Sequence, residues 1–238
     1  MIGIIGALDV EVTGLINEMA DVKRETISKI VYTIGKIKNK DCVVAQCGIG
    51  KVNAAMCAQT MVLKYNPTAI INSGVAGALA HGLKIGDIVI ANEVVQHDVS
   101  LIEDSSEPFG IDFPRGTIEF SDEKITHITA DPTIAKHLNS ACKEILNINS
   151  FTGIIATGEQ FVASKAARLE IGEYFNALAC EMEGGAIGQV CYRNSLPFAI
   201  LRAISDNIDT NQFMDFLEFK NLAAKNSIAV INRLFDFL

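Results

Sequence analysis

Short apolar runs alternate with stretches of helical period along most of this chain. Residues 2–7 read as an opening strand, after which Val12, Leu15, Ile16 and Met19 recur on one helix face. Residues 25–40 carry turn signals between short apolar runs and predict a surface hairpin. A strand over 42–46 runs through Cys47-Gly48-Ile49-Gly50 into a helix over 51–65, which Pro67 breaks. Further strands are predicted at 69–72 (ending in SGVAGAL), at 86–95 and at 152–156. Helices are predicted at 133–146, 165–175 and 217–237. In the last, Val230, Ile231, Leu234, Phe235 and Leu238 form the buried stripe. This alternation predicts an α/β fold, and with no linker, repeat or low-complexity segment, residues 1–238 read as one domain.

Two apolar runs end differently from the others. ALACEMEGG, at 177–185, delivers Glu181, Met182 and Glu183, and AILRAISD, at 199–206, delivers Ser205 and Asp206. Such runs read as buried strands, and ligands of α/β sheets sit outside the carboxyl ends of their strands. Either these ends assemble one site from two directions, or the acids cap the helices that follow. Spacing alone leaves both open. Residues 97–120 turn to acid, Ser, Pro and Gly with isolated Phe109 and Phe113, long enough for a lid, an interface or a plain surface excursion.

Composition narrows the classes of function. Hydrophobic residues at 49% and charged residues at 20% exclude a disordered chain. A net charge of −8 argues against nucleic-acid or anionic-membrane partners, which demand a basic face. No apolar stretch approaches the roughly 18 residues of a membrane span. The start, MIGIIGALDVE, lacks a basic leader and reads as a cytoplasmic start. The six cysteines form no C-x-x-C pair and lie mostly in apolar segments, the pattern of free thiols in a reducing compartment. Four scattered histidines form no H-x-x-x-H pair, so no metal is expected.

The glycine-rich segments fail the tests for nucleotide phosphates. Gly48-Ile49-Gly50-Lys51-Val52-Asn53 lacks the third glycine of a dinucleotide fingerprint. A Walker loop needs a glycine at 45 and a Ser or Thr at 52, where this chain has Ala45 and Val52. What remains is close backbone approach to a compact ligand, or tight turns required for packing.

GIIGALDVEV, GIGKVNAA, INSGVAGAL, ATGEQFV, EMEGGAI and RAISD occur in that order from Gly3 to Asp206. Together they resemble the bacterial 5′-methylthioadenosine/S-adenosylhomocysteine nucleosidases of the nucleoside phosphorylase-like superfamily. The resemblance implies a three-layer α/β/α domain around a central mixed, partly barrel-like sheet, and a homodimer. It implies hydrolysis of the N-glycosidic bond of adenine nucleosides substituted at the 5′ position, without metal or cofactor. By the same resemblance Asp206, held by Ser205, protonates adenine N7, and Glu11 takes a proton from water across the ribose. Glu183 grips a ribose hydroxyl and Met182 packs by the sugar. Phe161 stacks on the base, backbone groups of Val162 read its edge, and Ala76 and Gly77 let the backbone come close. The chemistry is coherent: adenine is a poor anionic leaving group and needs an acid, which burial at a strand end would keep protonated. An acid and a base on opposite faces follow the logic of inverting glycosidases.

The chain also departs from the pattern. Cys47 stands where relatives carry serine, and the first helix begins Leu8-Asp9. Leu8, Ile49 and Phe216 are candidates for an apolar 5′ pocket, and the segment after Asp98 matches poorly. The rivals are a phosphate-dependent nucleoside phosphorylase and a non-catalytic nucleoside-binding protein. Asn72-Ser73-Gly74 lacks the arginine that commonly precedes the phosphorylase glycine turn, and Asp9 and Glu11 would repel phosphate. Binding alone would not require an acid and a base together.

Overall fold

In the computed structural model, which describes residues 1–101, 113–145, 147–208 and 212–238, the chain begins β1 (Ile2–Gly6), α1 (Asp9–Asn17), β2 (Ala20–Ile27), β3 (Ile30–Ile37), β4 (Lys40–Gln46) and α2 (Lys51–Tyr65). It continues β5 (Ala69–Ala78), β6 (Ile88–Gln96), β7 (Ile118–Glu119), β8 (Lys124–Ile125), β9 (Ile128–Thr129) and α3 (Pro132–Lys143). It ends β10 (Ser150–Thr157), α4 (Lys165–Phe175), β11 (Ala177–Glu181), α5 (Gly184–Arg193), β12 (Phe198–Asp206) and α6 (Gln212–Leu234).

The central mixed sheet has the order β11-β10-β6-β12-β5-β1-β4-β3-β2. Because β11 also pairs antiparallel with β5, the strands β5, β12, β6, β10 and β11 close into a five-strand barrel. The remaining strands extend it as an open sheet. Helices α1, α3 and α6 cover one apolar core, with Ile4, Leu15, Leu138 and Ile231 at its centre. Helices α2 and α5 cover the other, around Ile5, Met61 and Ile187. Helix α4 packs Ile171 and Phe175 beside β10 and β11. This is the expected three-layer α/β/α arrangement around a partly barrel-like sheet. Each fully buried Ile, Leu or Phe contributes about 1.5–3 kcal/mol relative to exposure, so the two cores dominate the stability of the sheet.

Several elements differ from the pattern-based expectation. Residues 25–40 are not a surface hairpin but part of a β2-β3-β4 meander, whose middle strand buries Ile30, Tyr32 and Ile37. The strand predicted at 69–72 runs on to Ala78, so SGVAGAL does not end it at 72. That segment lies within and just beyond β5, where small side chains let the barrel close against β11. Met19 lies beyond α1, α3 ends at Lys143, and the closing helix begins at Gln212. Leu238 is exposed and leaves the stripe formed by Val230, Ile231, Leu234 and Phe235. Of the 97–120 segment, Phe109 lies outside the described residues. Arg115 within it donates from Nε to the His97 carbonyl at 2.6 Å.

Candidate active site

The barrel closure brings the two acid-ended strands together. In register, Asp206 of β12 faces Gly77 of β5, and Gly77 in turn faces Cys180 of β11. The β12 pairing slips between Ile204 and Asp206, leaving Ser205 as an extra residue. Such a bulge re-aims side chains, and here it lets Ser205 and Asp206 both line one cleft. Glu11, Leu8, Ile49, Ala76, Gly77, Phe161, Met182, Glu183 and Phe216 line the same cleft, together with Ala7, Val75, Cys180 and Glu181. Val162 does not. It is buried behind the wall, with its carbonyl accepting from Arg168 Nε at 2.6 Å.

Asp206 is held on both sides. The Ser205 hydroxyl donates to its Oδ1 at 2.7 Å, with the Ala76 carbonyl at 3.3 Å as a weaker alternative acceptor. Arg168 Nη2 donates to its Oδ2. The expected apolar surroundings, which would favour a protonated acid, are therefore replaced on one side by a guanidinium. The space left by the missing Gly77 side chain is taken up by that group as well. A Cβ on Gly77 would lie 2.7 Å from both Arg168 Nη atoms.

On the other side of the cleft three carboxylates surround one cation. Arg202, fully buried in β12, donates from Nη2 to Glu181 and to the Asn72 side-chain Oδ1, and its Nη2 lies 3.5 Å from Glu183. Glu11 uses its carboxylate on backbone amides: Oε2 accepts from Ala7 at 2.7 Å and Leu8 at 2.9 Å, and Oε1 accepts from Val75 at 3.0 Å. It caps α1 and faces the cleft at once. For Glu183 the capping alternative fails. Glu181 Oε2 accepts the Glu183 and Gly184 N–H groups at the start of α5, leaving Glu183 to reach across to Gly50 N at 2.9 Å. That reach depends on the Gly48–Gly50 turn, where both glycines take the left-handed region (φ +87° and +98°).

Burial raises the pKa of two of these carboxylates, Glu183 and Glu11. The Glu183 carboxyl is pushed up to about 7, by burial first and by neighbouring Glu181 second, against the pull of Arg202. Burial likewise raises Glu11, opposed by Arg202 and the three backbone amides. The folded protein thus keeps a proton that the unfolded chain has released above its ordinary value of 4.5. Stability from Glu183 is full below that value and is lost as pH rises through about 7. The urea midpoint of the unliganded protein should therefore fall between about pH 5 and 7. Glu183→Gln, with no proton to lose, should flatten much of that fall. An unaltered slope would remove Glu183 as its source.

The remaining walls are apolar. Phe161, 44% exposed, is not plain core, and it meets Phe216 edge-on with ring centroids 5.3 Å apart. Leu8, Ile49 and Phe216 share the cleft as the 5′-pocket reading requires. Pattern reading missed Arg168 and Arg202 and gave Glu181 no role of its own. The available signal was an arginine inside the apolar run AILRAISD, since a buried charge needs a buried partner. Among the described residues, no group of three or more His, Cys, Asp or Glu side chains is set to hold a metal ion.

Residues 1–236 match the family model described as the phosphorylase superfamily. The chain is 36% identical, over its full length and that of the relative, to a 5′-methylthioadenosine/S-adenosylhomocysteine nucleosidase of Staphylococcus epidermidis. It is 35% identical to a protein of the same name from Shewanella sp. strain MR-7, covering 100% of this chain and 97% of that one. Among solved structures it superimposes, with a TM-score of 0.90 and 31% identity, on the Neisseria meningitidis nucleosidase of that name in complex with methylthio-immucillin-A. That match covers 100% of this chain and 99% of the other.

Proposed function

This chain belongs to the phosphorylase superfamily as an N-glycosyl hydrolase of the methylthioadenosine/S-adenosylhomocysteine nucleosidase family, and we propose the following reaction from that premise. It hydrolyses 5′-methylthioadenosine and S-adenosylhomocysteine, and 5′-deoxyadenosine as a third substrate, to adenine and the 5-substituted ribose. Asp206 gives a proton to N7 as the C1′–N9 bond breaks, Glu11 takes a proton from the attacking water, and Glu183 accepts a ribose hydroxyl. Met182 packs by the sugar, and Phe161 stacks on the base.

The observation that carries this reading is the convergence of Glu11, Glu183 and Asp206 on one cleft from three separate elements. Water is favoured over phosphate because Glu11, Glu181 and Glu183 line the cleft and, among the described residues, no Lys or Arg does, Arg202 being fully buried against these carboxylates. A phosphate dianion needs an excess of donors there. The test is adenine release from both thionucleosides in phosphate-free buffer. Release unchanged by added phosphate is expected, whereas dependence on phosphate, or no release, overturns the reading.

The 5′ substituent should be read by size and polarity. Each extra buried methylene is worth about 0.8 kcal/mol, and an apolar pocket rejects a hydroxyl only on the order of 10²-fold. Catalytic efficiency for methylthioadenosine should therefore exceed that for adenosine by roughly 10- to 100-fold. Equal efficiency would remove Leu8, Ile49 and Phe216 from the pocket.

A homodimer belongs to the same reading. Val52, Met56 and Leu63 expose apolar side chains on α2, beside cleft-lining Ile49, and a second copy would cover them. A cytoplasmic location fits the six unpaired, buried cysteines.

A further inference from the structure

The start of α2 receives two carboxylates, and one of them has no part in the reaction just described. Gly50 N donates to Glu183 Oε1 at 2.9 Å. The next two amides, Lys51 N and Val52 N, donate to Glu159 Oε1 at 2.6 and 3.3 Å. Glycine at position 50 makes room for this, since a Cβ there would lie 2.5 Å from Glu159 Oε2. An anionic side chain suits the positive end of a helix and satisfies amides that have no partner inside it.

Glu159 is fixed through its backbone as well. Its N–H donates to Asp98 Oδ2 at 2.8 Å, and Asp98 Oδ1 accepts from Lys51 Nζ at 2.7 Å. Lys51 therefore holds Glu159 twice, through its own amide and through Asp98, and three segments of chain close one ring of charge-assisted bonds. The Lys51 and Asp98 side chains are only 18% and 16% exposed, which shields their ion pair from full screening.

What this ring holds is the connection that carries Phe161. Gly158 is still tied to the barrel, its N–H donating to the Glu181 carbonyl at 3.1 Å. From there to Ser164 the chain crosses from β10 to α4 as neither strand nor helix. Glu159 opens that crossing, and Phe161 follows two residues later in the cleft wall. Its ring is 44% exposed, so burial alone does not fix it. The bonds of Glu159 set the spacing between this segment and the turn that carries Ile49 and the Gly50 amide.

We propose that Glu159 is a positioning residue for the base: with Asp98 and Lys51 it latches the β10–α4 crossing onto the start of α2 and so holds Phe161 in place to stack. The proposal rests on the hydrolase reading above, in which Phe161 stacks on adenine, and it adds no step to the reaction.

The test measures equilibrium binding of adenine, kcat and KM for methylthioadenosine, and the urea midpoint. The proteins compared are the wild type, Glu159→Ala, Glu159→Gln, Phe161→Ala and the double variant Glu159→Ala/Phe161→Ala. Phe161→Ala should weaken adenine binding roughly 5- to 150-fold, the usual worth of a base stacked on an aromatic ring. Glu159→Ala should weaken it roughly 3- to 30-fold, the factor by which losing a cap of ordinary strength lowers the competent fraction of the protein. Glu159→Gln keeps an acceptor for the Lys51 amide and should fall between Glu159→Ala and the wild type. With Phe161→Ala already in place no ring is left to position, and adding Glu159→Ala should change adenine binding less than about 2-fold. Losses that simply add in the double variant overturn the proposal and leave the hydrolase reading standing. So does a Glu159→Ala protein with a lowered urea midpoint and unchanged adenine affinity, which would make Glu159 a helix cap and nothing more. Adenine binding unmoved by Phe161→Ala overturns the proposal together with the stacking role it rests on.

Discussion

Asp206→Asn should lower kcat for methylthioadenosine by about 10²- to 10⁴-fold, the usual worth of a positioned general acid. The amide preserves shape. Its oxygen can still accept from Arg168, and its NH₂ can face Ser205, whose hydroxyl then accepts instead of donating. What it cannot do is give up a proton. The change also leaves the buried Arg168 guanidinium beside a neutral group, and breaking a buried pair commonly costs about 3–5 kcal/mol. The melting temperature should therefore fall too, and turnover must be measured well below it, with inhibitor binding as the control for an intact cleft. A variant that binds inhibitor and retains more than about a tenth of wild-type kcat would contradict the assignment, since no general acid contributes so little.

Glu11→Gln should have the second-largest effect, again on kcat, with KM little changed. A base acts in the transition state and touches the substrate little beforehand. The structure adds a cost that reaction chemistry alone would not predict. Both Glu11 oxygens accept backbone N–H groups, from Ala7 and Leu8 on one side and Val75 on the other. Glutamine has one acceptor oxygen, so its amide nitrogen must meet one of those donors. The orphaned amide should cost about 1–3 kcal/mol of stability. Urea unfolding and steady-state kinetics on the same preparation separate the two effects. A loss confined to KM would make Glu11 a binding residue and move the base elsewhere.

The parts of this molecule legible in its sequence are those whose signals are local. The helices over 51–65 and 165–175 are read at their observed bounds, because an apolar period is cut by chemistry: Asn66 in the left-handed region before Pro67, and Ser164 and Asn176 flanking the other. The acids at the ends of β11 and β12 are legible for the same reason. What is not local is harder to read. Arg168 meets Asp206 across 38 residues of chain, and Glu181 meets Arg202 across 21. Nothing in either segment alone names its partner. The strand from 69 is read as ending at 72 because glycine in a strand interior is unfavourable, and only the β5–β11 pairing explains its continuation through SGVAGAL. Glu181 illustrates the limit from the other side. Next to Met182 and Glu183 it looks interchangeable with Glu183, yet it accepts the first amides of α5 and frees Glu183 to reach Gly50.

The central claim is that Glu11 directs water onto C1′ in a single step while Asp206 protonates the departing base. The most direct measurement is proton NMR of the sugar first formed from methylthioadenosine in ¹⁸O-labelled water, taken before the anomers equilibrate. One-step attack across the ring predicts the α anomer of methylthioribose with a single ¹⁸O at C1, and the same outcome with or without phosphate. First formation of the β anomer, or of a sugar phosphate, would contradict it.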